Sequence, residues 1–434
     1  MPSITLTDGQ QTALKEILKS YHERQTRHLL TGYAGTGKTT LLQEVVKNID
    51  KRVVVTAPTN KAVHVIHRKL QDAGIYAECM TIHSLLGVSP QTANSEKKQL
   101  KRVSDPKFHK FNCVIIDECS MISSEIQKYI DDDLFSHWVL YVGDPAQLPP
   151  IGETEAACFS TPNKSNLSTI VRQAESNPII QASVCLRERL DWSWCKQDVR
   201  DDATGIYTPE KGEVYAWMKE AFTSHEFAQN NDFCRYLAYT NKRAIEINTL
   251  VRGWVYGKTE TPFVEGEMVV TRKPITDRRG KPVFAVNDEM RVETIKRGQD
   301  ITMTFPDHNG GGKRQEVKGW QYKLPVWEVS FGPDIVCRVP VDQREYDTLC
   351  RRVKAEAAIN SARWWEFYTM VHDPIADIRH VYAMTIHTSQ GSTFDNVFID
   401  INDCQANGRA NPDELRKLLY VAVTRPRETV TLVQ

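Results

Sequence analysis

An α/β fold is what the sequence predicts: parallel sheets covered by helices, with a small antiparallel β region inserted late in the chain. Three observations carry this. A glycine-rich loop, Gly32 to Thr39, stands between a short apolar run and a helical one. Strand and helix signals alternate through residue 142, the order that builds a parallel sheet with covering helices. From about Gly253 the pattern turns to short period-two strands with glycine-rich or charged turns, as in a small barrel or sandwich.

Taken in order, Leu6 to Gln10 opens a helix running to about Glu23, with Thr7 or Asp8 as N-cap. Residues 27–31 read as a buried strand, 40–48 as a helix, 52–57 as a strand and 61–72 as a helix. A strand at 113–117, a helix at 122–134 and a strand at 138–142 continue the series. Between Ser84 and Asn112 the alternation breaks. Leu86 to Phe111 carries Lys97, Lys98, Lys101, Arg102, Lys107 and Lys110 against Glu96 and Asp105, around a polar centre at 92–96. This reads as a basic hairpin inserted into the sheet domain, with a solvated loop as the alternative.

The first sheet domain closes after Pro149-Pro150, and residues 153–250 mix helices with a buried strand, Tyr236 to Thr240. The segments EGEMVVTR, EMRVETIKR, DITMTF and VWEVSF form the alternating strands, with a turn at Asn309 to Gly312. Asp347 to Met370 looks helical and ends in the cluster Trp364, Trp365, Phe367 and Tyr368, read as packing, with surface stacking as the alternative. Strands return at 381–385, 396–401 and 429–433, with a helix at 412–419. The second α/β unit is therefore split by the β insertion.

With 434 residues the chain exceeds one typical core. A formal net charge of zero confines any nucleic-acid surface to a local patch. No run approaches the roughly 18 apolar residues of a membrane span, and the N-terminus lacks a signal-peptide pattern. Ten cysteines without a C-x-x-C pair suit reduced thiols. A cytoplasmic protein without membrane contact is the expectation.

Gly32-Tyr33-Ala34-Gly35-Thr36-Gly37-Lys38-Thr39 fits G-x-x-x-x-G-K-[ST]. Glycines let the loop close around phosphate oxygens with its N–H groups inward, and the helix opening at Thr40 presents its N-terminus to the anion. Lys38 can reach the β- and γ-phosphates and the Thr39 hydroxyl can ligate Mg²⁺. ATP and Mg²⁺ are thus the expected cofactors. Val114 to Glu118 is an apolar strand ending in two acids. Asp117 is assigned to the metal and Glu118 to the attacking water. In Val142-Gly-Asp-Pro-Ala-Gln147, Gln147 follows the next strand and can sense the γ-phosphate; a capped turn is the alternative. His64 and His67 lie three apart on one helix, but no third metal ligand stands near them in sequence.

The ordered segments GYAGTGKT, APTNKA (57–62), TIHSLL (81–86), VIIDECSM, VGDPAQLPPI, AYTN (238–241), TIHTSQGSTFDNVFID (385–400) and LYVAVTRPR (419–427) resemble the superfamily 1 helicases, most closely their 5′→3′ RecD-like branch. The resemblance implies two RecA-like domains in tandem, 1–152 and 153–252 with 380–434. It also implies a pin at about 86–111 and an SH3-like β domain with a helical tower at 253–379. By the same resemblance Gln10 contacts adenine, and Arg172 and Arg425 reach the γ-phosphate from the second domain. Pro58, Thr59, Asn60, Thr81, His83, Thr240, Asn241, Thr385, His387 and Ser389 touch the translocated strand, which Gln390 and Gly391 couple to the nucleotide. Lys97, Lys98, Lys101 and Arg102 serve strand separation. Proline after Arg425 departs from the family's usual glycine or alanine and is expected to stiffen that loop.

The implied activity is ATP-dependent, 5′→3′ translocation on single-stranded DNA coupled to unwinding. The implied partners are single-stranded and forked DNA and replication or single-strand-binding proteins, with the chain acting as a monomer. Small polar residues suit a grip that must be released each cycle, and a basic pin without base-reading elements suits strand separation. The alternatives are an ATPase translocase that displaces proteins from DNA and a nucleotide-gated single-strand-binding module. A P-loop kinase would leave the later motifs coincidental.

Overall fold

The computed structural model describes residues 6–49, 52–92, 98–168, 177–188, 196–210, 212–277, 282–308, 318–361 and 363–434. Strands are numbered along the chain. One unit comprises Met1–Ser89, Arg102–Val255 and Tyr382–Gln434; the other comprises Pro90–Lys101 and Tyr256–Val381.

The first unit contains two sheets. In the first sheet, β1 (Arg27–Gly32), β2 (Val53–Ala57), β3 (Glu78–Thr81), β6 (Cys113–Ile116), β7 (Trp138–Gly143) and β8 (Lys164–Leu167) lie in the order β3-β2-β6-β7-β1-β8. All pairings are parallel. Helices cover both faces, so β2, β6 and β7 are buried at every residue and read as unbroken apolar runs. Leu30, Leu41, Val45, Val55, Ile66, Ile115 and Leu140 share one core. Three helices matter for the site: α1 (Asp8–His22), α2 (Lys38–Asn48) and α3 (Asn60–Asp72). Thr7 and Gln10 close a capping box on α1. Strands β3 and β8 were not legible in the sequence, because each is a four-residue edge strand with polar or half-exposed positions.

Register fixes what meets at the sheet edge. Leu30 pairs with Val142 and Ile116 with Tyr141. Asp117 therefore leaves β6 level with Val142 and Leu30, and the P-loop, the paired acids and the Asp144 loop emerge at one carboxyl edge. That edge is where α/β sheets bind ligands.

In the second sheet, β9 (Asp198–Val199), β10 (Gly205–Tyr207), β11 (Cys234–Ala238), β22 (Ala383–Thr385), β23 (Phe394–Asp400) and β24 (Pro426–Val433) run in the order β22-β11-β23-β24-β10-β9. Only β9 is antiparallel. Helices Pro178–Glu188, Ile401–Gly408 and Pro412–Val423 pack one face, and Val214–Thr223, His225–Gln229 and Asn241–Tyr256 the other. The first of these cores also takes in Ala146 and Leu148 from the loop after β7, and Ala34 of the P-loop packs against it. That shared apolar contact gathers both sheets into one unit, although the sequence reads as two domains.

The hairpin is formed by β4 (Val88–Thr92) and β5 (Lys98–Arg102). Its residues 90–101 belong to the second unit and not to the sheet into which the sequence inserts them. Gly87 at its root has φ +67°, and a Cβ there would lie 2.3 Å from the Ser104 carbonyl oxygen. Only glycine fits this turn.

The second unit also holds short antiparallel strands: β12 (Met268–Thr271), β13 (Ile275–Thr276), β14 (Pro282–Phe284), β15 (Glu289–Arg291), β16 (Thr294–Arg297), β17 (Ile301–Phe305), β18 (Trp320–Leu324), β19 (Val326–Ser330), β20 (Val336–Pro340) and β21 (Ile378–His380). Two three-stranded sheets, β15-β12-β21 and β16-β19-β20, enclose Val269, Met290, Val292, Val329 and Val339. The ribbon β17–β18 packs on the helix Gln343–Ile359 and on the helical segment from Arg363 to His372 through Phe305, Leu324, Leu349, Val353 and Phe367. The single helix expected over 347–370 is thus broken at Asn360, which adopts extended backbone and caps the first piece. Within the aromatic cluster Phe367 is buried and Trp364 stacks on Tyr368, whereas Trp365 points outward at 59% exposure.

Candidate active site

The P-loop conformation follows from its glycines. Gly35 and Gly37 have φ +80° and +78°, which side chains disfavour. A Cβ on Gly32 would lie 2.8 Å from Thr36 Oγ1 and 3.1 Å from the Leu167 carbonyl oxygen. Thr36 Oγ1 donates to the Tyr33 carbonyl at 2.9 Å, and Lys38 Nζ donates to the Gly32 and Tyr33 carbonyls at 2.7 and 2.9 Å. Gln10 Nε2 donates to the Thr36 carbonyl at 3.0 Å while its Oε1 accepts from the Thr7 N–H at 3.0 Å. The carboxamide expected to meet adenine is committed here to bracing the P-loop. Thr39 and Thr40 lie in the first turn of α2, behind the left-handed cap at Gly37.

Asp117 is fixed by its own backbone, whose N–H donates to the Thr56 carbonyl at 2.8 Å. Its Oδ1 accepts the Glu118 N–H at 2.9 Å. Burial, and then the neighbouring Glu118 charge, push the Asp117 carboxyl up to about 7, against the pull of Lys38. Glu118 sits at φ +51°, a left-handed conformation rare outside glycine, so the backbone is strained at the residue assigned to the water. A hydroxyl at Thr39 and a desolvated carboxylate at Asp117 form a hard-oxygen donor set that suits Mg²⁺.

Gln147 is buried at 6% exposure, and its Oε1 has no protein partner. A buried amide oxygen of this kind is left able to accept a hydrogen bond. Arg425, 6% exposed, follows the helix Pro412–Val423. Its guanidinium donates to the Val421 carbonyl (3.0 Å), the Ser392 carbonyl (3.2 Å) and Thr424 Oγ1 (3.1 Å). Burial lowers its pKa, and the strongest opposing influence is the charge of Glu118. An arginine carried by the second sheet thus lies within electrostatic reach of the acid at the edge of the first. Arg172 lies outside the described residues.

The residues expected along the translocated strand divide into groups. Thr59 caps α3 by accepting the Ala62 N–H at 3.2 Å, with Pro58 before it and Asn60 opening the helix. Gly391, at φ +73°, approaches this cap so closely that a Cβ would lie 3.2 Å from Ala62 Cβ and 3.4 Å from Thr59 Oγ1. Thr81 caps the short helix Ile82–Leu86, and burial lowers the pKa of His83 within it. On the second sheet Thr240 Oγ1 donates to Asp403 at 3.1 Å, and Asp403 Oδ2 also accepts the Tyr239 and Thr240 N–H groups at 2.8 Å. Asn241 opens the next helix, and Thr385 lies in register beside Ala238. The Tyr239 and His387 rings meet edge-on at 6.0 Å. Ser389 departs from expectation: it is fully buried and its hydroxyl donates to the Ile386 carbonyl at 2.8 Å. Gln390 is also buried, and its Nε2 donates to the Leu148 carbonyl at 3.2 Å.

Among the hairpin cations, Lys97 lies outside the described residues, Lys98 lies in β5 and Lys101 is exposed. Arg102 is anchored: its NH2 contacts both Asp133 oxygens at 3.0 and 2.7 Å. That ion pair holds it at the hairpin foot.

Sequence reading assigned no role to Asp144, Arg187, Tyr420 or Asp403. Asp144 and Tyr420 stand inside motifs that were recognised; their roles depend on contacts across the cleft. Arg187 carries no local signal at all.

A P-loop at the edge of one parallel sheet, facing a second parallel sheet, defines the class as a P-loop NTPase. A family model described as an AAA domain matches residues 5–191, and one described as a UvrD-like helicase C-terminal domain matches 380–433. The ATP-dependent DNA helicase dda of Enterobacteria phage T4 is 25% identical over 99% of this chain and 99% of its own length. An uncharacterized protein of Acanthamoeba polyphaga mimivirus is 25% identical over 92% of this chain and 93% of its own. The crystal structure of a Bacteroides Pif1 helicase with ADP-AlF3 and single-stranded DNA superposes with a TM-score of 0.51 at 17% identity, covering 99% of this chain and 92% of that one. Over nearly its whole length the chain is thus similar to a phage ATP-dependent DNA helicase, and its C-terminal region to UvrD-like helicases. Among the described residues no helix is long and apolar enough to cross a membrane.

Proposed function

We propose that this chain is an ATP-dependent DNA helicase that moves 5′→3′ along single-stranded DNA and couples Mg-ATP hydrolysis to duplex opening. The observation that carries the reading is that the helix leading to Arg425, on the second sheet, meets the P-loop of the first, where the Tyr420 hydroxyl accepts the Ala34 N–H at 3.1 Å. Each sheet supplies half of one hydrolytic site, so nucleotide can draw the halves together and hydrolysis can release them. In this mechanism the P-loop amides and Lys38 bind the phosphates, Glu118 orients and deprotonates the water, and Arg425 stabilises charge on the γ-phosphate. Thr39 and Asp117 would hold Mg²⁺, which would supply neutralisation of phosphate charge. The two sheets act as RecA-like motor domains, and the β unit as an SH3-like domain with a helical tower.

The Thr59 cap against Gly391, and the Thr240–Thr385–His387 edge, support two grips on the strand, one per sheet. Closing the cleft shifts one grip relative to the other. The 5′→3′ direction rests on the resemblance to the RecD-like branch, and the phage relative carries the name of an ATP-dependent DNA helicase. Unwinding of forked duplexes bearing only a 5′ or only a 3′ single-stranded tail, with and without ATP, tests this. Opening confined to 5′ tails and to ATP is the expected result; ATP-independent opening or none removes the reading.

A further inference from the structure

Three elements meet in a buried circuit beside the nucleotide cleft. The Tyr420 hydroxyl, on a side chain 1% exposed, donates to Asp144 Oδ2 at 2.5 Å and accepts the Ala34 N–H of the P-loop at 3.1 Å. Asp144, fully buried, also accepts the Ala146 N–H at 3.0 Å and pairs with the Arg187 guanidinium. That guanidinium lies 3.8 Å over the ring of Tyr33, the residue before Ala34. Arg416 NH1 donates to the Arg187 carbonyl at 3.1 Å, which ties the helix of Arg187 to the helix of Tyr420. The circuit therefore touches the P-loop twice, at Tyr33 and at Ala34, and reaches it from two helices of the second sheet.

Tyr420 stands five residues before Arg425, which follows the end of the same helix and whose Nε donates to the carbonyl of Val421, next to Tyr420, at 3.0 Å. Whatever fixes Tyr420 against the P-loop therefore also holds the helix end to which Arg425 is bonded. Phenylalanine would fill the same buried space, so packing alone does not require the hydroxyl. Burial and the Asp144 carboxylate keep that hydroxyl protonated, as a donor to Asp144 must be.

We propose that Tyr420, held by Asp144 and Arg187, is a positioning residue that sets the register between the P-loop and Arg425 for ATP hydrolysis. The inference rests on the helicase reading above. It assigns Tyr420 no contact with nucleotide. Its hydroxyl acts by orienting groups that do touch phosphate, so its loss is felt in turnover more than in ground-state binding.

The test is steady-state ATPase of the full chain with and without single-stranded DNA. Tyr420→Phe is expected to lower DNA-stimulated kcat about tenfold, the size of one hydrogen bond to a charged partner, with the ATP KM within about twofold. Arg187→Gln is expected to do the same, and the double variant to be no worse than either single one, because both break one circuit. A merely structural role would lower Tm but leave kcat at wild-type level well below melting, and kcat losses that add would mean that the two residues do not share one circuit. Either outcome overturns the proposal. A wild-type chain without DNA stimulation removes the helicase reading instead, and the same comparison on unstimulated turnover then decides the positioning role.

Discussion

The side-chain amide of Gln390 donates across the cleft to the backbone carbonyl of Leu148 at 3.2 Å. Gln390 follows the Thr385–Ser389 turn of the second sheet, and Leu148 follows the Gln147 loop of the first. The bond therefore joins a turn proposed to hold DNA to a loop proposed to sense the γ-phosphate. Gln390→Leu keeps the volume and deletes the donor. DNA-stimulated turnover is expected to fall about tenfold while affinity for single-stranded DNA changes less than about threefold. Fluorescence anisotropy and coupled ATPase assays read the two quantities, and parallel losses would show that Gln390 does not link them.

Lys38→Ala is expected to abolish DNA-stimulated hydrolysis with the circular dichroism spectrum unchanged. Arg425→Ala is expected to cut kcat by about 10³-fold or more, the scale of an arginine finger, with a smaller loss of ATP binding. Equal loss of binding and turnover in Arg425→Ala would argue against action on the γ-phosphate.

Strain at Glu118 predicts opposite changes in stability and activity. Its φ of +51° suits glycine. Glu118→Gly is expected to gain about 1 kcal/mol in stability by relieving that conformation, while turnover falls by about 10²-fold or more with the carboxylate gone. Urea denaturation beside an ATPase assay checks both. A less stable Glu118→Gly would mean that the side chain's packing outweighs the backbone strain.

Gly391→Ala tests the close approach of the two sheets. The new Cβ would enter a left-handed conformation and lie 3.2 Å from Ala62 Cβ. The backbone strain alone is expected to cost about 1 kcal/mol or more, and pushing the two elements apart should weaken DNA-stimulated turnover. Wild-type Tm and wild-type turnover together would show that the contact is loose in solution.

His28 supplies a pH dependence. It is 3% exposed, and its Nε2 lies 3.0 Å from Ser165 Oγ. Burial lowers its pKa, with the Glu16 charge in opposition. The unfolded chain, with an ordinary histidine near 6.5, therefore binds a proton in a range where the folded chain does not. Stability from this site is fully present above about pH 6.5 and declines as pH falls toward the depressed folded value, by at most about 1.4 kcal/mol per pH unit. Urea titrations at several pH values, on wild type and His28→Gln, are expected to show a shallower acid slope in the variant. Identical slopes would exclude His28 as a contributor.

Much of the fold was legible because its strands are buried on both faces and so leave unbroken apolar runs such as VVVTA and WVLYV. The edge strands Glu78–Thr81 and Lys164–Leu167 were not, since an edge strand needs apolar residues on one side at most. The site divides in the same way. Gly32 to Thr39 and Asp117-Glu118 are local devices, a turn that requires glycine and a strand that ends in acids, and local devices leave local patterns.

Residues whose work is done across space behave differently. Ser389 sits in a recognised motif, yet it is fully buried with its hydroxyl on the Ile386 carbonyl, which no spacing encodes. Arg102 belongs to a basic run, but its partner Asp133 is supplied by a helix 31 residues further on. The sequence by itself determined the central strands, the nucleotide loop and the paired acids, because hydrophobic periodicity and backbone sterics act over a few residues. Only the tertiary structure decided that Tyr420, Asp144 and Arg187 meet around Ala34, and that the helix leading to Arg425 lies against the P-loop. Those relations depend on where two sheets come to rest against a shared core, and that is set by the summed packing of the chain.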